Sequence, residues 1–182
     1  MADLTALANQ LDPDKYRCRA VIETPRGKRN KFDYDPSTGL FMLGGVLPEG
    51  MVFPFDFGFI PGTAGGDGDP VDVIVLMDAP GHVGCLLETR LIGVANAEQT
   101  EDGKTERNDR LIGVAAHSYE HEHIKSIDEL SRTFLVQLEQ FFVNYNRLRG
   151  RKFRITGTGG PRKAIQCIRK GMRAYRKSQS KT

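Results

Sequence analysis

The sequence predicts an α+β fold, with a closed or barrel-like sheet and helices packed outside it. Three observations lead there. The first half carries short β-rich runs broken by Gly, Pro and Asp turns. Long helical periodicity begins only after residue 126. The 182 residues, 39% hydrophobic and 27% charged, suit one domain with an ordinary core and show no internal repeat. Residues 1–182 are read as that single domain, with 147–182 a basic C-terminal extension or helix.

In chain order, Tyr16–Thr24 alternates and is rich in β-formers, and Pro25 and Gly27 end it. Lys31–Tyr34 and Leu40–Leu43 flank DPSTG, whose residues suit a hairpin loop. Val71–Met77 is a short strand. Gly84–Ala95 and Arg110–Ala116 read as two strands joined by a very polar connection, Asn96–Asp109. Ser126 and Glu129 have capping-box spacing. Ile127, Leu130, Phe134, Leu138, Phe141 and Tyr145 follow at three- and four-residue intervals, so one helix with a core face is expected. Lys152–Ile155 reads as a strand. Pro161 stands where a first helical residue would, ahead of Ile165, Ile168, Met172 and Tyr175 on one face and a basic opposite face.

Composition narrows the function classes. No apolar run approaches the roughly 20 residues of a membrane span. The N-terminus has early acids and no basic n-region, so no secretory signal is read there. Cys18, Cys85 and Cys167 are odd in number and widely spaced, which argues for reduced thiols and a cytoplasmic location rather than a disulfide framework or a zinc site. The net charge of +3 is unevenly spread: from Gln140 to Thr182 there are 13 Lys/Arg and no acid, while all 23 acids lie earlier. Docking against an acidic surface, or plain solvation, explains such a tail more simply than nucleic-acid binding, which the tail leaves open.

The stretch GGDGDPVDV (65–73) poses the chemical question. Asp67, Asp69 and Asp72 fall within six residues, and no Lys or Arg lies nearby in sequence. A turn there could bring their oxygens towards one point, as a hard divalent cation such as Mg²⁺ requires. The alternatives are a solvated Asp/Gly turn or a calcium loop. The EF-hand pattern fails, because no glutamate stands at the required later position.

The full stretch DGDPVDV resembles the signature of the family I soluble inorganic pyrophosphatases, in which three aspartates bind magnesium. AVIETPRGKRNKFDYD (20–35) is similar to the family's early strand pair, PFDFGFIPGT (54–63) to the segment before the signature, and LEQFFVNYNRL (138–148) to its late helix. The resemblance covers about residues 16–150. It implies a five-stranded OB-like β-barrel flanked by helices, commonly hexameric in bacteria, and Mg²⁺-dependent hydrolysis of pyrophosphate to two phosphates. It implies Asp67, Asp72 and Glu23 as metal-binding acids and Asp69 as acceptor of the attacking water's proton. Lys31, Asp33, Arg110 and Tyr145 would meet substrate or product phosphate.

The sequence also departs from the family pattern. Gly45 stands where the family carries an arginine, Phe53 and Phe57 replace two tyrosines, and Asn146 replaces a lysine. Asn108 and Arg110 occupy the places of an aspartate and a lysine; a further metal-binding aspartate corresponds to Glu98, Glu101 or Asp102. Asp109 is one residue out of register, which in a strand turns it to the opposite face. The three-aspartate turn is thus intact while the phosphate clamp is depleted. Two expectations follow: a divergent pyrophosphatase whose basic tail supplies replacement cations, or a catalytically weak phosphate- or polyanion-binding protein on the same fold.

Overall fold

A computed structural model describes residues 3–180; Lys181 and Thr182, the end of the basic tail, lie outside the described residues. The strands are β1 (Arg17–Thr24), β2 (Asn30–Asp35), β3 (Leu40–Val46), β4 (Asp56–Ile60), β5 (Val71–Leu76), β6 (Leu86–Glu101), β7 (Lys104–Arg107), β8 (Arg110–Ala115) and β9 (Lys152–Gly159). The α-helices are α1 (Arg132–Arg147) and α2 (Pro161–Gln179). The main sheet runs β1-β4-β5-β8-β6, and β1 pairs β6 again, which closes five strands into a ring. All the ring's pairings are antiparallel except β5 with β8. That is the five-stranded barrel expected, with β2 and β3 forming a separate hairpin.

Alternation along the strands divides the core. On β5, Ile74 and Leu76 join an apolar cluster with Leu138 and Phe142 of α1, whereas Val73 and Val75 join one with Ile165 and Ile168 of α2. A period of two sends neighbouring residues to opposite faces, so each helix covers one layer. Burying a side chain of this size contributes roughly 1.5–3 kcal/mol, so these layers hold both helices in place.

Three elements differ from the sequence reading. The segment 96–109 is no loose connection: β6 runs on to Glu101, turns at Asp102 and Gly103 (φ +48° and +78°), and returns as β7. Cross-strand pairs such as Glu101 with Lys104 compensate for its polarity. The long helix does not start at Ser126. Ser126 caps only a single 3₁₀ turn (Ile127–Glu129); Leu130 is extended, and Ser131 Oγ accepts from Phe134 N at 3.1 Å to start α1. Glu129 accepts from the Lys125 N–H instead of reaching back to Ser126 (3.2 Å), so the capping box does not close. Finally β4, whose five residues are all buried, was not predicted as a strand. A strand buried on both faces lacks the alternation that would mark it.

Candidate active site

The acidic turn is built by the chain between β4 and β5. Thr63 Oγ1 donates to Ile60 O (2.5 Å) and accepts from Val71 N (3.0 Å), stapling the two strand ends together. Gly65 N donates to Asp69 O (2.6 Å) and Asp69 N to Asp67 Oδ1 (3.2 Å), so the turn closes on itself. Gly68 sits at φ +93°, where a side chain would strain the backbone. Helix α2 fixes the turn from behind: Ala64 N donates to Gly171 O at 3.0 Å. A Cβ on Gly171 would lie 2.8 Å from Val71 Cγ2, so only glycine allows this approach.

The parallel pairing of β5 with β8 sets Val73 beside Leu111, and thereby Asp72 beside Arg110. Their side chains form an ion pair. The Arg110 guanidinium is nearly enclosed, 5.4–5.8 Å from the centroids of Phe57, Phe142 and Phe153. The sequence showed no cation near the acidic turn; tertiary structure supplies one 38 residues later.

A cavity of about 250 Å³ gathers the eight residues singled out in the sequence: Glu23, Lys31, Asp33, Asp67, Asp69, Asp72, Arg110 and Tyr145. Glu23 Oε1 accepts from Tyr34 N at 2.9 Å. Lys31 and Asp33 of β2 are ion-paired. Tyr145, from the last turn of α1, is stacked on Phe141. Phe53 and Phe57 pack as hydrocarbon in this wall, and Asn146 spends its amide on Phe142 O at 2.8 Å. The carboxylates share the cavity without converging on one point: no three of their ligand atoms lie within 4.8 Å of one another among the described residues.

The electrostatics of the cavity are dominated by burial, which disfavours charge on its acids and on its lysine alike. Burial pushes the Glu23 carboxyl up to about 7, against the Tyr34 hydrogen bond, and Asp72 and Asp69 add to the rise. Asp69 stands at the open rim, yet the cavity wall takes enough water from it to raise its pKa, and Asp67 adds like charge. Burial also raises Asp72; Arg110 opposes this without overcoming it. Lys31 is lowered, first by burial, and the nearby cations Arg149 and Arg110 contribute. Hard oxygen donors under mutual repulsion are the donor set that a divalent cation fits.

The ambiguous acids separate. Glu98 pairs with Arg154 (2.8 Å) on the far side of β6, while Gln99 and Glu101 share the other face. Glu101, Asp102 and Glu106 line a groove of about 520 Å³ that shares Asp67 and Asp69 with the cavity. Asp109 turns away from the cavity, as its register implied: it accepts from Ala97 N (3.1 Å) and pairs with Arg107 (2.7 Å). Arg149 and Arg151 also line the cavity. The sequence reading counted them only within a basic tail. Their signal was helical spacing, because Arg149 lies four residues beyond Tyr145.

Comparison with known proteins gives one consistent answer. A family model described as inorganic pyrophosphatase matches residues 20–176. The inorganic pyrophosphatase of Thermus thermophilus is 34% identical over 159 residues, covering 86% of this chain and 89% of that protein. That of Helicobacter pylori is 34% identical over 158 residues, covering 85% and 89%. A crystal structure of the Thermus thermophilus inorganic pyrophosphatase superposes with a TM-score of 0.87 at 32% identity, covering 96% of this chain and 99% of that one.

Proposed function

The chain belongs to the inorganic pyrophosphatase family, and from that premise we propose that the cavity between β2, the acidic turn and the end of α1 hydrolyses pyrophosphate to two phosphates with Mg²⁺. The observation that carries this reading is the joint presence of five carboxylates and several cationic or phenolic donors in one cavity of about 250 Å³. One component suits a metal and the other suits phosphoryl oxygens.

Glu23, Asp67 and Asp72 offer the carboxylate oxygens that Mg²⁺ takes. When bound, Mg²⁺ neutralises phosphoryl oxygens and acidifies the attacking water. Asp69, at the solvent-open rim, accepts the proton as the water oxygen bonds to phosphorus and the bridging P–O bond breaks. Lys31, Arg110 and Tyr145 orient the phosphates by charge-assisted hydrogen bonds, and Asp33 fixes the Lys31 ammonium. A single domain acting as a cytoplasmic homo-oligomer, hexameric as the family resemblance implies, completes the reading. Among the described residues no helix is long and apolar enough to cross a membrane.

The test is phosphate release from pyrophosphate with magnesium, comparing wild type with Asp69→Asn. Wild type should release phosphate, and the variant should be slower by about 10²–10⁴. Equal rates would remove Asp69 from the role of base. No release by wild type across several divalent metals would leave a phosphate-binding protein on this fold.

A further inference from the structure

We propose that Arg149 is a substrate-binding residue, which holds a phosphoryl oxygen at the cavity mouth through a space that Gly45 leaves open; the inference rests on the pyrophosphate reading above. Gly45 is the cross-strand partner of Lys31 in the β2–β3 hairpin. A Cβ built on it would lie 2.5 Å from Arg149 Nη2. The guanidinium therefore fills the place that any side chain at position 45 would begin to occupy.

Arg149 is delivered there by the end of α1. Gly150 takes φ +74°, and the Gly150 and Arg151 N–H groups donate to Arg147 O (3.1 Å) and Asn146 O (2.9 Å), turning the chain back into β9. The guanidinium lies 4.6 Å from the Tyr145 ring centroid, which holds its plane without using its N–H donors. Among the described residues, its one hydrogen bond is a long contact to Gly44 O, at 3.4 Å.

Its neighbour Arg151 is different. The Arg151 Nε lies 2.8 Å from Glu101 Oε1, although without an aligned hydrogen bond. Arg110 and Lys31 each already have a carboxylate partner, Asp72 and Asp33. Among the described residues no carboxylate lies within ion-pair distance of Arg149, though it lines the cavity near the Lys31 ammonium. Two cations held close together at a cavity mouth, one with free donors, suit a multiply charged oxyanion. Arginine's planar fork can meet two phosphoryl oxygens at once.

The experiment compares wild type, Arg149→Ala, Arg149→Lys, Gly45→Ala and the Gly45→Ala/Arg149→Ala double variant. For each, KM and kcat for pyrophosphate are measured with Mg²⁺, along with calorimetric Kd for inorganic phosphate. Arg149→Ala should raise KM and Kd by about ten- to a hundredfold, the range for a hydrogen bond to a charged group. Arg149→Lys should fall between, since it keeps the charge but loses the fork. Gly45→Ala should raise both constants with an unchanged melting curve, because its Cβ meets only the movable end of a side chain. The double variant should be no worse than Arg149→Ala alone. Unchanged constants in Arg149→Ala, or effects that multiply in the double variant, would overturn the assignment. If wild type binds phosphate but does not hydrolyse pyrophosphate, the functional reading fails, and the Kd ratio still decides the role of Arg149.

Discussion

Two clusters of acids on this molecule look alike on paper and behave in opposite ways. Around Asp78, the side chains of Glu120 and His121 bring three ligand atoms within 4.8 Å, the tighter cage by distance alone. Around the acidic turn, no three ligand atoms come so close among the described residues. Yet Asp78 is already satisfied. Its Oδ1 accepts from Ser118 Oγ (2.5 Å) and Glu120 N (3.2 Å), and its Oδ2 accepts from Tyr119 N (2.8 Å). Those donors, the Ser118 hydroxyl foremost, pull its pKa down to about 2. In the cavity the shift runs the other way: burial with few donors raises Glu23, Asp69 and Asp72. Proximity alone therefore does not identify a cation site. What matters is whether the carboxylate lone pairs are already occupied, and at the acidic turn many are not.

The largest test concerns the cation that is ion-paired with the acidic turn. Arg110→Ala would leave Asp72 without its partner in a largely enclosed setting, and should destabilise the fold by about 3–5 kcal/mol in urea unfolding. A much smaller loss would mean that water already solvates Asp72, and the contrast with Asp78 would weaken.

A second test separates the clusters directly. Magnesium at a hundredfold over its Kd should stabilise wild type by about 2.7 kcal/mol. Asp78→Ala should keep that increment, and Asp67→Ala should lose most of it. Loss in Asp78→Ala instead would reverse the comparison and move the metal to the other cluster.

The contrast also shows what a sequence can carry. The acidic turn was legible because its acids are local and the chemistry of a hard cation demands them. Strand β1 was legible through its alternation, and α2 through Pro161 and its apolar face. The partners of the acids were not legible, since Arg110 reaches Asp72 only through a parallel pairing between distant strands. Arg149 was obscured for another reason. Its meaning depends on the missing side chain of Gly45, about a hundred residues earlier and joined to it only by the fold. The false helix start at Ser126 shows the limit of local signals. Two serines five residues apart can each cap, and burial of Ile127 beneath β6 keeps the first turn separate from α1.

The smallest effect is also the most direct reading of the difference. Asp78 has a folded pKa of about 2 against an ordinary 3.8, so its contribution to stability is complete above the ordinary value and lost as pH falls through about 2. A carboxyl carbon NMR titration should place Asp78 well below the exposed aspartates, and Ser118→Ala should move it back up. The same variant should make the urea midpoint less sensitive to acid between about pH 4 and pH 2, because less linkage remains to be lost. An Asp78 that titrates with its exposed neighbours would mean that its lone pairs are not held by these donors. The cluster would then be as open to a cation as the acidic turn, and geometry, not donor satisfaction, would have to distinguish the two.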